Sequence, residues 1–150
     1  GLRIGEVAAL RVADVLAGDG TVRSQFTLNP EQTKGSDSRT VLLSQRMQAE
    51  LAAYVQTIRV RNAKQPLFAT QRNEGFTASS LAQVVNGIYK KAGFDDCTSH
   101  SGRRSFATRA SSLGISMRVL QKLMGHKNIQ TTSVYIYASD DMLRNAVELI

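Results

Sequence analysis

From Thr77 to Gly125 the chain is punctuated three times by a hydroxyl residue followed, one helix length later, by a glycine. Thr77 precedes Leu81, Val84, Val85 and Ile88 and the run stops at Gly93. Thr98 or Ser99 precedes Phe106, Ala110 and Leu113, which stop at Gly114. Ser116 precedes Val119, Leu120 and Leu123, which stop at Gly125. A hydroxyl side chain satisfies the orphan N–H groups of a first helical turn, and glycine accepts the left-handed conformation that closes a last one. Helices this short are marginal alone in water, so each must lay its apolar positions on a neighbour. The second half is therefore predicted to be a packed helical layer.

The first half adds a small sheet. Ile4, Val7, Ala8 and Leu10 predict a helix from about Arg3 to Val12. Gly18-Asp19-Gly20 then breaks the chain before a strand, Thr21 to Leu28. A polar turn rich in Gly, Ser and Asp leads into a return strand that begins at Arg39, so a hairpin forms with Lys34 in or beside its loop. Met47, Leu51, Tyr54 and Ile58 make one helical stripe, and Leu67-Phe68 re-enters the core after a surface loop. A short helical stretch from Ile129 to Tyr137 and a final helix from Asp140, with Leu143, Ala146, Val147 and Ile150, close the chain. The expected fold is mainly α with a small antiparallel β-sheet (α+β), one domain over residues 1–150.

Charge says what such a domain meets. The 150 residues carry a formal net charge of +7, which favours an anionic partner, nucleic acid before a membrane surface. Between Cys97 and Ser139 there is no Asp or Glu, whereas Arg103, Arg104, Arg109, Arg118, Lys122 and Lys127 all fall inside. An acid-free stretch of cations is what a phosphate-facing surface needs. One cysteine excludes an internal disulfide and fits a reducing, cytoplasmic setting. No apolar run approaches the roughly 18 residues of a membrane span, so no membrane partner is expected. Two separated histidines with one cysteine make a poor zinc set, and no carboxylate cluster suggests paired magnesium ions. No metal and no cofactor are expected.

Both histidines fall in the basic stretch. His100 lies three residues before Arg103, which puts the two on one helical face. With Thr98 or Ser99 as cap, His100 sits in the first turn, where a neutral imidazole can accept a proton and backbone amides attract phosphate. His126 directly follows Gly125, where a side chain can project into a cleft. Arginine suits phosphate because its planar fork pairs bidentately and stays charged. Tyr135 and Tyr137 are the two phenols nearby, and a phenol needs cations or a base to become a good nucleophile.

The block His100-Ser101-Gly102-Arg103, Leu123-Met124-Gly125-His126-Lys127-Asn128 and Thr131-Thr132-Ser133-Val134-Tyr135 resembles the active site of the tyrosine recombinases, the phage-integrase family. Gly1-Leu2-Arg3-Ile4-Gly5-Glu6 is similar to that family's first arginine motif, and Gln32-Thr33-Lys34-Gly35 to its hairpin lysine. The resemblance implies a site-specific DNA recombinase that cleaves and rejoins strands through a covalent 3′-phosphotyrosyl intermediate. It implies Arg3, Lys34, His100, Arg103, His126 and Tyr135 as the catalytic set. Tyr135 is preferred over Tyr137 because it lies nine positions after His126 and three after Thr132. Lys34 becomes the acid for the departing 5′ oxygen, and Glu6 orients the neighbourhood of Arg3 without being catalytic. Arg39, Arg104 and Lys127 are expected to contact DNA.

The implied partners are double-stranded DNA and other recombinase protomers in a tetrameric synapse, with this segment alone a monomer. The chain opens on the first arginine motif without an initiator methionine, so an upstream core-binding domain is expected before it. Arg104 and Tyr137 stand where many relatives carry histidine, which leaves the catalytic set intact. Two other readings share the residues. A type IB topoisomerase uses the same tyrosine chemistry, and a non-catalytic DNA-binding module derived from the family would retain only the surface.

Overall fold

The computed structural model describes residues 1–33, 37–135 and 140–148. Lys34, Tyr137 and Ile150 lie outside these described residues. Two features of the first helix shape everything around it. Helix α1 (Ile4–Ala8) is short because the Glu6 carboxylate folds back to accept from the Arg3 backbone N–H, which defines its start, and Ala9 ends it. The predicted continuation to Val12 is thus incorrect: Arg11 leaves the helix to bridge Pro66, and Val12–Val15 forms a separate turn, α2. Periodicity alone did not show that break, because Leu10 and Val12 are both buried on either side of it.

Strand β1 (Gln25–Leu28) pairs antiparallel with β2 (Arg39–Leu42), with Phe26 opposite Val41 and Leu28 opposite Arg39. The expected strand from Thr21 is shorter, and Val22 makes only an isolated bridge to Leu16. Between the strands, Pro30–Gln32 forms one 3-10 turn. Helix α3 (Gln45–Thr57) starts at the Ser44 cap, and Leu67 drops into the core as expected. Helix α4 (Ala78–Lys91) is capped by Thr77, whose hydroxyl accepts from the Ser80 N–H at 3.1 Å, and it packs on α1. Helices α5 (Ser101–Ser112), α6 (Met117–Met124), α7 (Gln130–Ser133) and α8 (Asp140–Glu148) follow.

Among the described residues, the buried apolar side chains form two cores. The larger joins Leu10, Val12, Val15, Phe26, Leu28 and Leu67, with α3 residues Leu51 and Tyr54 packed against it. The smaller consists of Ala107, Ala110, Leu120 and Met124, with Ile115 and Tyr135 at its margin. Here the predicted face of α5 is corrected. Ala107 and Ala110 are buried, whereas Phe106 is partly exposed and Leu113 is 72% exposed. Ala107 and Ala110 pack with Leu120 and Met124 of α6, while Phe106 lies beside Gly1. On α8, Leu143, Ala146 and Val147 are exposed. Among the described residues, no helix is long and apolar enough to cross a membrane.

Candidate active site

The site lies at the seam between the two cores, and the end of α6 organises it. Gly125 adopts φ +61°, closing the helix with Gly125 N–H donating to Lys122 O and His126 N–H donating to Gln121 O. That left-handed closure is the glycine-terminated turn expected after a helix. It leaves three successive carbonyls, those of Leu123, Met124 and Gly125, without helical partners. Three arginines take them. Arg39 Nη1 donates to Leu123 O at 3.1 Å, Arg103 Nη2 to Met124 O at 2.7 Å, and Arg3 Nη2 to Gly125 O at 3.3 Å. Cations at a helix C-terminus also complement its dipole. Residues 3, 39 and 103, far apart in sequence, are thereby gathered on one turn.

Among the described residues, Glu6 supplies the carboxylate that pairs with these arginines. Its side chain is 2% exposed and its oxygens accept from Arg3 Nη1 at 3.0 Å and Arg39 Nη2 at 2.8 Å. Three guanidinium groups against one carboxylate leave two positive charges in excess, part of it buried with Arg103. Stability alone does not favour such an arrangement. It suits an anion arriving from solvent.

His126 is the residue that this charge acts on most. It is 8% exposed, its Nε2 lies 2.9 Å from Arg103 Nη2, and its Nδ1 lies 2.9 Å from Thr132 Oγ1. A guanidinium can only donate, so Nε2 is the acceptor and the proton resides on Nδ1, directed at the Thr132 hydroxyl. Burial first, then the charges of Arg103, Arg3 and Arg39, push its pKa down from 6.5 to about 4. Arg103, buried and also bonded to the Gly1 carbonyl, is lowered to about 10 by burial and then by Arg3, while Glu6 and Tyr135 oppose the shift. It remains a cation at neutral pH. The Tyr135 ring stacks on the His126 ring with centroids 6.0 Å apart and an interplanar angle of 19°, within the range of offset aromatic pairs.

A cleft of about 440 Å³ opens above this network, lined by Arg3, Glu6, Arg39 and His126 on its floor and by Asp37, Lys127 and Asn128 nearby. Lys127 Nζ pairs with Asp37 Oδ2 at 2.7 Å, tying the hairpin loop to the segment after α6. Among the described residues no group of three or more His, Cys, Asp or Glu could hold a metal ion.

Of the residues singled out in the sequence, Arg3, Arg103, His126 and Tyr135 come together here. His100 is placed differently from expectation. It is itself the N-cap of α5, with an exposed side chain, so neither Thr98 nor Ser99 caps a helix with His100 in its first turn. The physical reason is a local turn before the helix, in which the Thr98 N–H donates to Ser101 Oγ and Thr98 Oγ1 accepts from the His100 N–H. Arg104 is exposed on the outer side of α5. Arg39 is held in the buried network rather than on an open face. Lys34 lies outside the described residues. Sequence reasoning missed Thr132 as the partner of His126 and gave Glu6 only one of its two arginines. The Thr131-Thr132 pair six residues on was the available signal for the first; nothing local pointed to the second.

The Phage integrase family model matches residues 1–142. Tyrosine recombinase XerD of Corynebacterium glutamicum is 32% identical over 148 residues, covering 96% of this chain and 46% of the relative. Tyrosine recombinase XerC of Pelobacter propionicus is 29% identical, covering 95% of this chain and 45% of its own. The chain spans about half the length of the curated relatives it matches. Among solved structures, XerA recombinase superposes with a TM-score of 0.77 at 26% identity, over 98% of this chain and 51% of that one. The Tn1549 transposon integrase bound to a circular intermediate DNA also gives 0.77, at 21% identity over 99% and 55%, and shares the fold. The helical domain with its two-stranded hairpin is thus the catalytic-domain fold of these recombinases, and the chain belongs to the phage integrase family.

Proposed function

We propose that this domain carries the strand-cleaving site of a site-specific DNA recombinase acting on double-stranded DNA. The observation that carries the reading is the excess positive charge on the α6 turn, with the Tyr135 ring stacked on His126 beside it. Of the five N–H donors on Arg103, the Gly1, Met124 and His126 bonds occupy three. The others, with those of Arg3, are available to the non-bridging oxygens of a scissile phosphate.

In the proposed step, Tyr135 Oη bonds to phosphorus and the P–O5′ bond breaks. The phenolic proton passes to His100, and Lys34 gives a proton to the departing 5′ oxygen. His126 donates from Nε2 to a non-bridging oxygen, which requires its proton to move from Nδ1 or a second proton to be taken up when phosphate arrives. The 3′-phosphotyrosyl bond retains the free energy of the phosphodiester, so the 5′ hydroxyl of a partner strand reverses the step without ATP. Arg104 and Lys127 extend the contact along the backbone, and the exposed face of α8 meets a neighbouring protomer in a tetrameric synapse. The names of the relatives, which are tyrosine recombinases, and the DNA in the transposon integrase complex support the recombinase reading, and the residue roles are those that the family motifs imply.

The test is a duplex with a nick that lets the cleaved end diffuse away. The expected result is a covalent protein–DNA adduct that forms with the protein and not with Tyr135→Phe. An adduct that religates only to its own strand, never to a second duplex, would redirect the reading to a topoisomerase. DNA binding without adduct would leave a non-catalytic module.

A further inference from the structure

Arg39 was expected to touch DNA, yet most of its side chain is spent inward. It opens β2, is 13% exposed, and its guanidinium spans Glu6 Oε2 at 2.8 Å and Leu123 O at 3.1 Å. The path between those two partners crosses Gly125. A Cβ built there would lie 2.5 Å from Arg39 Nη1 and 2.7 Å from its Cδ, so the glycine is required both for its φ of +61° and for the arginine lying over it. Arg39 Nε is buried without a partner, so the seat carries a desolvation cost beside its two bonds.

We propose that Arg39 is a positioning residue of the phosphate site: seated across Gly125, it holds the Glu6 carboxylate against Arg3 and fixes the turn from which His126 projects. The proposal rests on the strand-cleavage reading above. Its physical basis is that the Arg3 backbone N–H holds Glu6 Oε2 and Arg39 adds a second donor at that same oxygen, which keeps Oε1 facing the Arg3 guanidinium. Arg39, anchored at its other end on the α6 carbonyl, takes one Glu6 oxygen and leaves the second for Arg3. The same anchor ties the hairpin to the end of α6, so the two sides of the cleft keep one spacing. A lysine cannot do this, because an ammonium is a point charge without the planar fork that reaches two acceptors at fixed separation.

The protein, Arg39→Gln and Arg39→Lys are compared on the nicked duplex in single turnover, with DNA affinity measured separately and His126 followed by NMR titration. Arg39→Gln is expected to cleave at least about tenfold more slowly at saturating DNA, with affinity within about threefold, since a misplacement near 1 Å costs that much or more. Its His126 should titrate at higher pH, because a neighbouring cation is gone. Arg39→Lys should keep the His126 titration near that of the protein and still cleave several-fold slowly. Cleavage by Arg39→Gln within threefold of the protein overturns the proposal. So does a loss that lies wholly in affinity, which would make Arg39 an ordinary DNA contact. Should Arg39→Gln fail to fold, full-rate cleavage by Arg39→Lys overturns it on its own. If the protein itself gives no adduct, the strand-cleavage reading fails, and the NMR arm still decides: a His126 titration unmoved in Arg39→Gln overturns the placement of Arg39, and a raised one supports it.

Discussion

Acidification is expected to destabilise this protein through His126. Burial, then Arg103, Arg3 and Arg39, lower its pKa from 6.5 to about 4. Between those two values the unfolded chain binds a proton that the folded chain refuses. Stability is therefore fully present above about pH 6.5, falls as the pH drops, and stops falling below about 4. The full gap is on the order of 3 kcal/mol at about 1.4 kcal/mol per unit, and roughly 2 kcal/mol of it is gone by pH 5. That is a large share of the roughly 5–15 kcal/mol that holds a domain folded. The assay is urea unfolding at pH 7, 5.5 and 5, with His126→Gln alongside. Glutamine offers Arg103 an acceptor and Thr132 a donor and does not titrate, so the difference in slope isolates His126 from the carboxylates. The stability of the protein should fall toward that of the variant as pH falls. Parallel pH profiles would refute the argument that the arginines on the α6 turn hold His126 neutral. Bound DNA should reduce the effect, because a phosphate in the cleft offsets the same positive charges.

Further expectations follow from the same network. Thr132→Val removes the acceptor of the His126 Nδ1–H at an almost unchanged volume; stability should fall by about 1–3 kcal/mol in urea unfolding, and cleavage of the nicked duplex should slow because the imidazole loses its fixed tautomer. Arg103→Lys keeps the charge but cannot serve Met124 O, His126 and a phosphate together, and adduct formation should drop by roughly two orders of magnitude while duplex binding by filter assay survives. Lys34→Ala should be slow on ordinary DNA and largely restored when the 5′-bridging oxygen is replaced by sulfur, whose departure needs no proton; an absence of rescue would assign the acid elsewhere.

The parts of the fold that local chemistry decides were legible before any coordinates. Thr77 and Ser116 start α4 and α6 with their hydroxyls, and Gly93, Gly114 and Gly125 follow the ends of α4, α5 and α6 at positive φ. The hairpin was readable because Gly18 to Gly20 and the polar turn bound two alternating runs. The misreadings share another cause. The break after Ala8 depends on the bridge between Arg11 and Pro66, fifty-five positions away, and the inward face of α5 depends on its packing with Leu120 and Met124 of α6. Neither pairing is written into a periodicity. In the candidate site, Arg3, Arg103, His126 and Tyr135 are singled out by family resemblance, and the structure brings these four together. The buried seat of Arg39 was not legible, because a side chain on a strand gave no sign that Gly125 left room for it.

The most direct measurement is to isolate the DNA-linked peptide from the covalent adduct and sequence it by mass spectrometry. The expected result is a nucleotide attached to Tyr135, the ring that stacks on His126. A nucleotide on Tyr137, or an adduct undiminished in Tyr135→Phe, would contradict it.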